Sequence, residues 1–268
     1  RKLLKPIFLL SIYINRWTKR SVGSKEEKLV VSNFDSNLKL MIDRSRSMGA
    51  SIFWTGFHEY REFLFLNKFL KEDMVGVDVG ANLGEYTLFM AKRLRKGRIF
   101  SFEPLENIRT QLIANIKLND FKQVEVFGYG LSDRKEQMEI HEIDNPHEGL
   151  ATTYLGSRKS KATFLIQLDS LDSVFPTFNT SRIDFLKLDI EGGELKALQG
   201  GQSTIGRFRP YVMIEINEET YQAAGYSTAA IAAFFRQLNY LPFKVNKMGR
   251  LESCPHLPVF GNIIYVPQ

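Results

Sequence analysis

The sequence is poor in cysteine and in long apolar runs. One cysteine, Cys254, occurs in 268 residues, which excludes an internal disulfide and a zinc site built from several cysteines. The apolar run at residues 7–14, which Ser11 interrupts, is too short to span a bilayer. These absences favour a cytoplasmic protein, and contents of 44% hydrophobic and 25% charged residues are typical of a globular domain.

Most of the chain carries no net charge. Residues 1–30 hold eight basic and two acidic residues, whereas the rest of the chain holds 28 of each. A nucleic-acid-binding body would normally carry a basic face, so we expect no nucleic-acid partner.

The basic N-terminal segment, residues 1–30, is also amphipathic. Its apolar residues recur at helical spacing, at Leu3, Ile7, Leu10, Ile14 and Trp17. Two interpretations remain open for this segment. It is either a helix docked on the body, or a peripheral contact with an anionic membrane surface or a partner.

Two common phosphate-binding patterns are absent from the turn that dominates the sequence. Residues 75–87 read VGVDVGANLGEYT, which predicts a buried strand, a tight turn and the start of a helix. Asn82 stands where a dinucleotide-binding G-x-G-x-x-G pattern would have its central glycine, and no Gly-Lys-Ser/Thr follows. Asp78 adds a negative charge that would repel a pyrophosphate but would suit a cation.

A second acid complements Asp78. Glu103 ends the next predicted strand, 19 residues after Gly84, and this spacing suits a carboxylate that holds ribose hydroxyls. A ribose joined to a cationic group describes S-adenosyl-L-methionine, which carries a sulfonium and an ammonium. The alternative interpretation is an ordinary strand, turn and helix whose glycines only shape the turn.

The chain divides into three predicted regions. Residues 1–30 form the basic segment, residues 31–74 a strand and helix extension, and residues 75–268 an α/β domain of alternating strands and helices. Two strands at about residues 137–143 and 162–166 form a hairpin-like insertion at about 137–166. We expect the polar loop between these strands to cover the acceptor, the substrate that would receive the transferred group. The last two strands are too close in sequence for a crossover helix, which predicts antiparallel pairing.

Carboxylates recur at the predicted strand ends. The four that end strands are Asp78, Glu103, Asp189 and Glu215, and Asp133 follows another strand. In an open parallel sheet the ligand crevice lies at the carboxyl ends of the strands, and buried acids are costly without partners. The pattern therefore predicts a shared site, although each acid alone could cap a helix.

Four stretches together resemble one family. VDVGANLG at residues 77–84, SFEP at 101–104, LSD at 131–133 and LKLDIEG at 186–192 are similar to the FkbM-type S-adenosylmethionine-dependent methyltransferases. The resemblance covers about residues 38–266. It implies a Rossmann-like class I methyltransferase fold: a mostly parallel seven-stranded sheet with helices on both faces and an antiparallel last strand.

The resemblance also implies roles for individual residues. The methionine part of the cofactor would lie against Asp78, Gly80, Asn82, Gly84 and Thr87. Glu103 would hold the ribose, Ser132 and Asp133 the adenine, and Asp189 would lie nearest the reactive methyl. Further cofactor contacts are expected at Ala81, Tyr86 and Pro104.

Proton removal from the acceptor requires a base or a metal. The expected base is Asp189 or Glu191, with His58, His147 and His256 as further candidates. Some related sugar methyltransferases hold a metal such as Mg²⁺ with paired acids, and Asp189 and Glu215 would be its ligands here. The sequence Glu215-Ile216-Asn217 does not reproduce the paired acids of those relatives.

The expected reaction is O-methylation of a hydroxyl on a sugar, a glycan or a glycosylated metabolite, with the acceptor class taken from the family resemblance. A nicotinamide-dependent sugar oxidoreductase is an alternative, which the incomplete glycine pattern disfavours. A non-catalytic cofactor-binding scaffold is another. A nucleic-acid methyltransferase would be expected to show an Asn/Asp-Pro-Pro-aromatic motif, which is absent.

Overall fold

A computed structural model of the chain describes residues 28–143, 151–152, 154 and 159–268. The expectations for residues 1–27, for most of the loop at 144–158 and for His147 therefore lie outside the described residues. The described residues divide into two compact units, residues 28–60 and the described residues from 61 to 268. Among the described residues, no helix has the length and apolar character needed to cross a membrane.

The first unit contains a hairpin and a helix. Strands β1 (Lys28–Phe34) and β2 (Leu38–Asp43) pair antiparallel, and helix α1 (Ser47–Thr55) follows. The sequence predicts only short strands and turns over residues 29–57, and helix α1 corrects this prediction; a glycine within a helix lowers helix propensity. In the structure Gly49 is buried, and a Cβ atom on it would lie 2.0 Å from the carbonyl oxygen of Asp43. Close packing of helix on hairpin thus overrides propensity.

The second unit is an α/β domain with two sheets. Its strands, in chain order, are β3 Val75–Val79, β4 Arg98–Phe102, β5 Val124–Phe127, β6 Gly130–Leu131, β7 Glu136–Ile143, β8 Ala151–Thr152, β9 Ser160–Asp169, β10 Phe185–Leu188, β11 Tyr211–Asn217, β12 Tyr240–Val245, β13 Leu251–Ser253 and β14 Phe260–Pro267. Its helices are α2 Tyr60–Phe69, α3 Glu85–Arg93, α4 Glu106–Leu118, α5 Leu171–Val174, α6 Glu194–Gly200, α7 Gln202–Phe208, α8 Glu218–Ala223 and α9 Thr228–Gln237, with a 3₁₀ turn at Phe175–Phe178.

The large sheet has the order β13-β12-β14-β11-β10-β3-β4-β5. The five strands from β11 to β5 are parallel, and β14 runs antiparallel to both β11 and β12. The mostly parallel sheet with an antiparallel last strand is therefore confirmed. The sheet has eight strands where the family resemblance implied seven, and the additional strand is β13, which spans three residues at the edge of the sheet.

Helices cover both faces of the sheet. Val75, Val77 and Val79 of β3 join one core cluster with residues of α5, α6, α7 and α9. The alternate residues face α3, where the Met90 sulfur would lie 2.9 Å from a Cβ atom on Gly76. All five residues of β3 are buried, as expected for a parallel strand covered on both sides. The predicted helices on both faces are confirmed.

The insertion forms a second sheet of order β6-β9-β7-β8. Its main pair, β7 with β9, is antiparallel and buries Ile140, Ile166 and Leu168 against Leu105. The predicted hairpin is therefore present, with longer strands than expected. Strand β5 ends at Phe127, and β6, which follows it in the chain, pairs with β9 in the second sheet.

The ends of β3 and β10 touch at Gly80. This residue has a φ of +77°, and a Cβ atom on it would lie 2.0 Å from the carbonyl oxygen of Asp189. Glycine is therefore required twice, for the left-handed backbone and for the close approach. The contact brings the residues after both strands into one place.

Gly80→Ala should therefore destabilise the protein more than Gly225→Ala. Gly225 has a similar φ of +83°, but an added Cβ would meet nothing within 4 Å among the described residues. We expect a loss of about 1 kcal/mol for Gly225→Ala, from backbone strain alone. The loss for Gly80→Ala should be about 3 kcal/mol or more, since the backbone must also move. Urea unfolding of the full chain measures both, and equal losses would contradict the close contact.

Candidate active site

Three of the predicted acids lie on or directly after strands at the centre of the large sheet. Asp78 is in β3, Asp189 directly follows β10, and Glu215 is in β11. Because these strands are parallel neighbours, their carboxyl ends meet at one edge. Glu103 follows β4 at the same edge. The sheet therefore brings together the acids that the sequence singled out.

A buried polar row crosses the sheet at Asp78. Its register neighbours are Ser101 on β4 and Lys187 on β10. Thr87 Oγ1 donates to Asp78 Oδ2 at 2.6 Å and lies 2.8 Å from Ser101 Oγ. Thr87, which the sequence placed near the cofactor carboxylate, is thus engaged in orienting Asp78.

Asp78 is fully buried. Its second oxygen, Oδ1, has no hydrogen-bond partner among the described residues. Burial raises the pKa of Asp78, while the Lys187 charge and the Thr87 hydrogen bond oppose this increase. An orphaned carboxylate oxygen in a buried place is unfavourable unless a donor reaches it. The ammonium of S-adenosyl-L-methionine is a donor of the required charge.

Lys187 is a site residue that the sequence prediction missed. Its side chain is 4% exposed, and Nζ lies 2.9 Å from Asp189 Oδ2. Nζ also lies 4.7 Å from the centre of the Tyr86 ring, which packs on Phe63 at a centroid distance of 4.5 Å. The available signal was a lysine inside the buried strand Phe185–Leu188, because a charge there requires partners.

The turn after β3 is held by Glu103. Its two oxygens accept hydrogen bonds from the backbone N–H groups of Asn82 (3.0 Å) and Leu105 (3.0 Å). Asn82 is in the left-handed region with a φ of +49°, and the N–H groups of Gly80 and Ala81 both donate to the carbonyl of Phe102. This arrangement fixes Glu103 at the end of β4, where it retains free lone pairs for further donors.

Burial raises the pKa of Glu103 to about 7, although the two backbone N–H groups and Arg109 lower it. Glu103 therefore changes its charge near neutral pH. Two other predicted site residues pack closely nearby. Gly84, with a φ of +99°, lies against Leu112, and Pro104 lies close to Gly130.

Three carboxylates form a cluster that we call the acid trio: Asp189, Glu191 and Glu215. One carboxylate oxygen from each lies within 4.8 Å of the others, and all three residues are half-buried. Oxygen ligands at such spacing are those that Mg²⁺ and Ca²⁺ prefer. The structure thus brings both predicted base candidates together with the predicted metal ligand Glu215.

The insertion reaches the acid trio. Thr152 Oγ1 donates to the carbonyl of Glu191 at 2.7 Å, and a Cβ atom on Gly192 would lie 3.0 Å from the Tyr154 ring. Thr152 is 1% exposed. The described part of the predicted covering loop therefore lies against the loop that carries Glu191.

Glu194 is a second residue that the sequence prediction missed. It is 1% exposed, and its two oxygens accept from the N–H groups of Ile190 and Gly192, each at 2.9 Å. Burial raises the pKa of Glu194 to about 7 against these hydrogen bonds. The signal was a third acid, after Asp189 and Glu191, in the run DIEGGE.

The other predicted site residues are Ser132, Asp133 and the candidate histidines. Ser132 follows β6, its Oγ lies 3.1 Å from carboxylate oxygens of both Asp133 and Glu136, and Asp133 pairs with Arg134. Among the candidate histidines, His58 belongs to the first unit, and His256 lies between β13 and β14. No contact given for the described residues joins His256 to the acid trio.

Comparison with known proteins identifies the family of the chain. The sequence matches the family described as "Methyltransferase FkbM domain" over residues 78–242, more than half of the chain. A solved structure of methyltransferase FkbM from Methylobacillus flagellatus KT superposes with a TM-score of 0.51 at 17% identity, covering 78% of this chain and 48% of that one. This structural likeness supports the class I fold.

Two relatives match by sequence. The AMB antimetabolite synthetase AmbE of Pseudomonas aeruginosa is 28% identical over 203 residues, or 63% of this chain and 10% of that protein. Methyltransferase sdnD of Sordaria araneosa is 28% identical over 152 residues, or 46% of this chain and 59% of that protein. The alignments therefore span less than two thirds of either relative. The family prediction from the sequence is confirmed: the chain belongs to the FkbM methyltransferase family.

Proposed function

We propose that this FkbM-family protein transfers the methyl group of S-adenosyl-L-methionine to a hydroxyl of a sugar, a glycan or a glycosylated metabolite. The observation that carries the proposal is the buried Oδ1 of Asp78, which has no hydrogen-bond partner in the described part of the chain and lies beside the Lys187–Asp189 pair. It provides a negative group for a cationic donor at the edge that also carries the acid trio. A nicotinamide cofactor would place a pyrophosphate against that carboxylate, so methyl transfer is favoured over the oxidoreductase alternative.

In the proposed complex the donor lies across the ends of β3 and β4. Asp78 Oδ1 accepts from the ammonium of the methionine part, and Glu103 accepts from the ribose hydroxyls. The turn at Gly80, Ala81, Asn82 and Gly84 lets the donor approach the backbone. Tyr86 and Pro104 line the same turn, and Ser132 and Asp133 would face the adenine.

Transfer is a single displacement. The acceptor oxygen attacks the methyl carbon, the new C–O bond forms, and the C–S bond breaks to leave neutral S-adenosylhomocysteine. The hydroxyl proton passes to a carboxylate of the acid trio, with Asp189 or Glu191 as the base. Holding donor and acceptor together supplies much of the rate.

The acceptor class is supported by the chemistry of the trio. Carboxylates accept hydrogen bonds only, and a sugar presents several neighbouring hydroxyl donors to them. The body of the chain has no net charge, so it offers no general attraction for a polyanion such as a nucleic acid. The three oxygens of the trio could also hold a divalent cation such as Mg²⁺, which would polarise the acceptor oxygen.

Asp189→Asn tests the reaction. With tritium-labelled S-adenosyl-L-methionine and extracts of sugars, glycans and glycosylated metabolites, the unmodified protein should label a product that is sensitive to glycosidases. The variant should transfer label at roughly one hundredth of that rate or less, because a positioned base is lost. Donor binding, measured by calorimetry, should stay within about threefold, since the amide can still accept from Lys187.

Asp120→Asn is the matched control, because Asp120 is 82% exposed on the loop before β5, at the opposite edge of the sheet. It should leave both measurements unchanged. Donor binding without any labelled product would instead favour the scaffold alternative, and the absence of donor binding would overturn the proposal.

Glu103 predicts a pH dependence of donor affinity. Its pKa is raised to about 7, so the carboxyl is protonated below that pH and ionised above it. The ionised form accepts from the ribose hydroxyls more strongly. Affinity should therefore rise roughly tenfold between about pH 6 and about pH 8. Glu103→Gln should bind more weakly and lose this dependence, whereas the exposed Glu106→Gln should keep it. A flat profile in the unmodified protein would contradict the role of Glu103.

Glu215→Gln tests cation binding by the acid trio. We expect Mn²⁺, followed by electron paramagnetic resonance, to bind the unmodified protein and to bind Glu215→Gln roughly tenfold more weakly, because one of the three ligands loses its charge. Glu219→Gln changes an exposed acid on helix α8 and should not alter the affinity. Equal Mn²⁺ affinity in all three proteins would show that the trio acts without a metal.

A further inference from the structure

We propose that Tyr221 and Tyr226 are positioning residues: their hydroxyl groups bond to the backbone that carries the acid trio and so hold the trio in its reactive arrangement. The two tyrosines lie in and just after helix α8, and we call them the tyrosine pair. The inference rests on the proposed methyl transfer, in which the trio receives the acceptor proton.

Tyr226 supports the loop that carries two members of the trio. Its hydroxyl lies 3.1 Å from the carbonyl oxygen of Gly192 and 3.3 Å from Glu194 Oε2. Glu194 in turn accepts from the N–H groups of Ile190 and Gly192. Tyr226 and Glu194 together therefore hold the loop between Asp189 and the start of α6.

Tyr221 supports the strand that carries the third member. Its hydroxyl donates to the carbonyl oxygen of Glu215 at 2.6 Å, and its side chain is fully buried. This hydrogen bond fixes the backbone at the position from which the Glu215 side chain projects. This hydrogen bond is additional to the pairing of β11 with its neighbouring strands, and deleting the Tyr221 hydroxyl would remove it.

The two tyrosines are joined to each other. Their rings stack at a centroid distance of 4.7 Å with an interplanar angle of 28°, and the N–H of Tyr226 donates to the carbonyl of Tyr221 at 3.0 Å. The tyrosine pair thus connects the loop after β10 with β11. Burial raises the pKa of both phenols, so they remain hydrogen-bond donors at neutral pH.

The arrangement of the trio makes such support necessary. Three carboxylates within 4.8 Å repel one another when ionised, and this repulsion tends to separate the loop from the strand. The Tyr226 hydroxyl bonds to this loop, and the Tyr221 hydroxyl bonds to this strand. Removing one hydroxyl while keeping the ring should therefore loosen the trio without opening the core.

The test compares three tyrosine-to-phenylalanine variants of the full chain. Tyr221→Phe and Tyr226→Phe each delete one supporting hydroxyl. Tyr240→Phe is the matched control: Tyr240 is also a buried tyrosine, and its hydroxyl donates to the carbonyl of Pro210 at 3.0 Å, at the other edge of the sheet. All three variants should lose similar stability on heating, so stability does not separate them.

Function and local exchange separate the variants. We expect Tyr221→Phe and Tyr226→Phe to lower kcat for methyl transfer roughly tenfold, because the base is displaced, while calorimetric affinity for S-adenosyl-L-methionine stays within about twofold because Asp78 and Glu103 lie on other strands. Deuterium exchange at residues 189–194 should accelerate in Tyr226→Phe. Tyr240→Phe should change none of these measurements.

Unchanged kcat in both variants, an equal loss in Tyr240→Phe, or unchanged exchange in Tyr226→Phe would overturn the inference. If the unmodified protein transfers no methyl group, the proposed function has failed, and exchange alone then decides whether the pair holds the loop. Faster exchange in Tyr226→Phe and not in Tyr240→Phe would support the pair as a positioning element, and any other result would reject it.

Discussion

The site depends on one buried cation, Lys187, between two acids. A buried ammonium is strongly unfavourable unless charged partners and hydrogen bonds replace water. Asp189 supplies the direct partner, and Asp78 acts on it from the neighbouring strand. Two carboxylates against one ammonium leave this group one negative charge in excess when all three are ionised. A cationic donor such as S-adenosyl-L-methionine can satisfy that excess, which agrees with Asp78 Oδ1 having no hydrogen-bond partner within the described ranges.

Two further acids at this edge are restrained by backbone N–H groups. Glu103 accepts two backbone N–H groups from the turn after β3, and Glu194 accepts two from the loop after β10. The three carboxylates of the acid trio lie within 4.8 Å of one another; at that separation, and before solvent screening, two like charges repel by about 3 kcal/mol at an effective dielectric constant of about 20. A cation, a bound proton or backbone support must offset this repulsion, and the tyrosine pair provides the third.

Much of this edge could be predicted from the sequence, because strand-ending acids are local signals. Asp78, Asp189 and Glu215 each follow or end an apolar run, and parallel pairing then places them together. The helix at Ser47–Thr55 could not be predicted, since its Gly49 is explained only by a contact with the hairpin. Lys187 and Glu194 were missed for a related reason. Their importance comes from partners on other elements, which a periodic pattern does not reveal.

The position of Asp189 links the two halves of the proposed reaction. It pairs with Lys187 on the donor side and belongs to the trio on the acceptor side. When the methyl group leaves, the donor loses its positive charge while the acceptor proton adds one to a carboxylate of the trio. The product keeps the ammonium that Asp78 contacts but carries a neutral thioether in place of the sulfonium, so the excess negative charge attracts the product less than it attracted the donor. We therefore expect the same charge arrangement to assist both donor binding and product release.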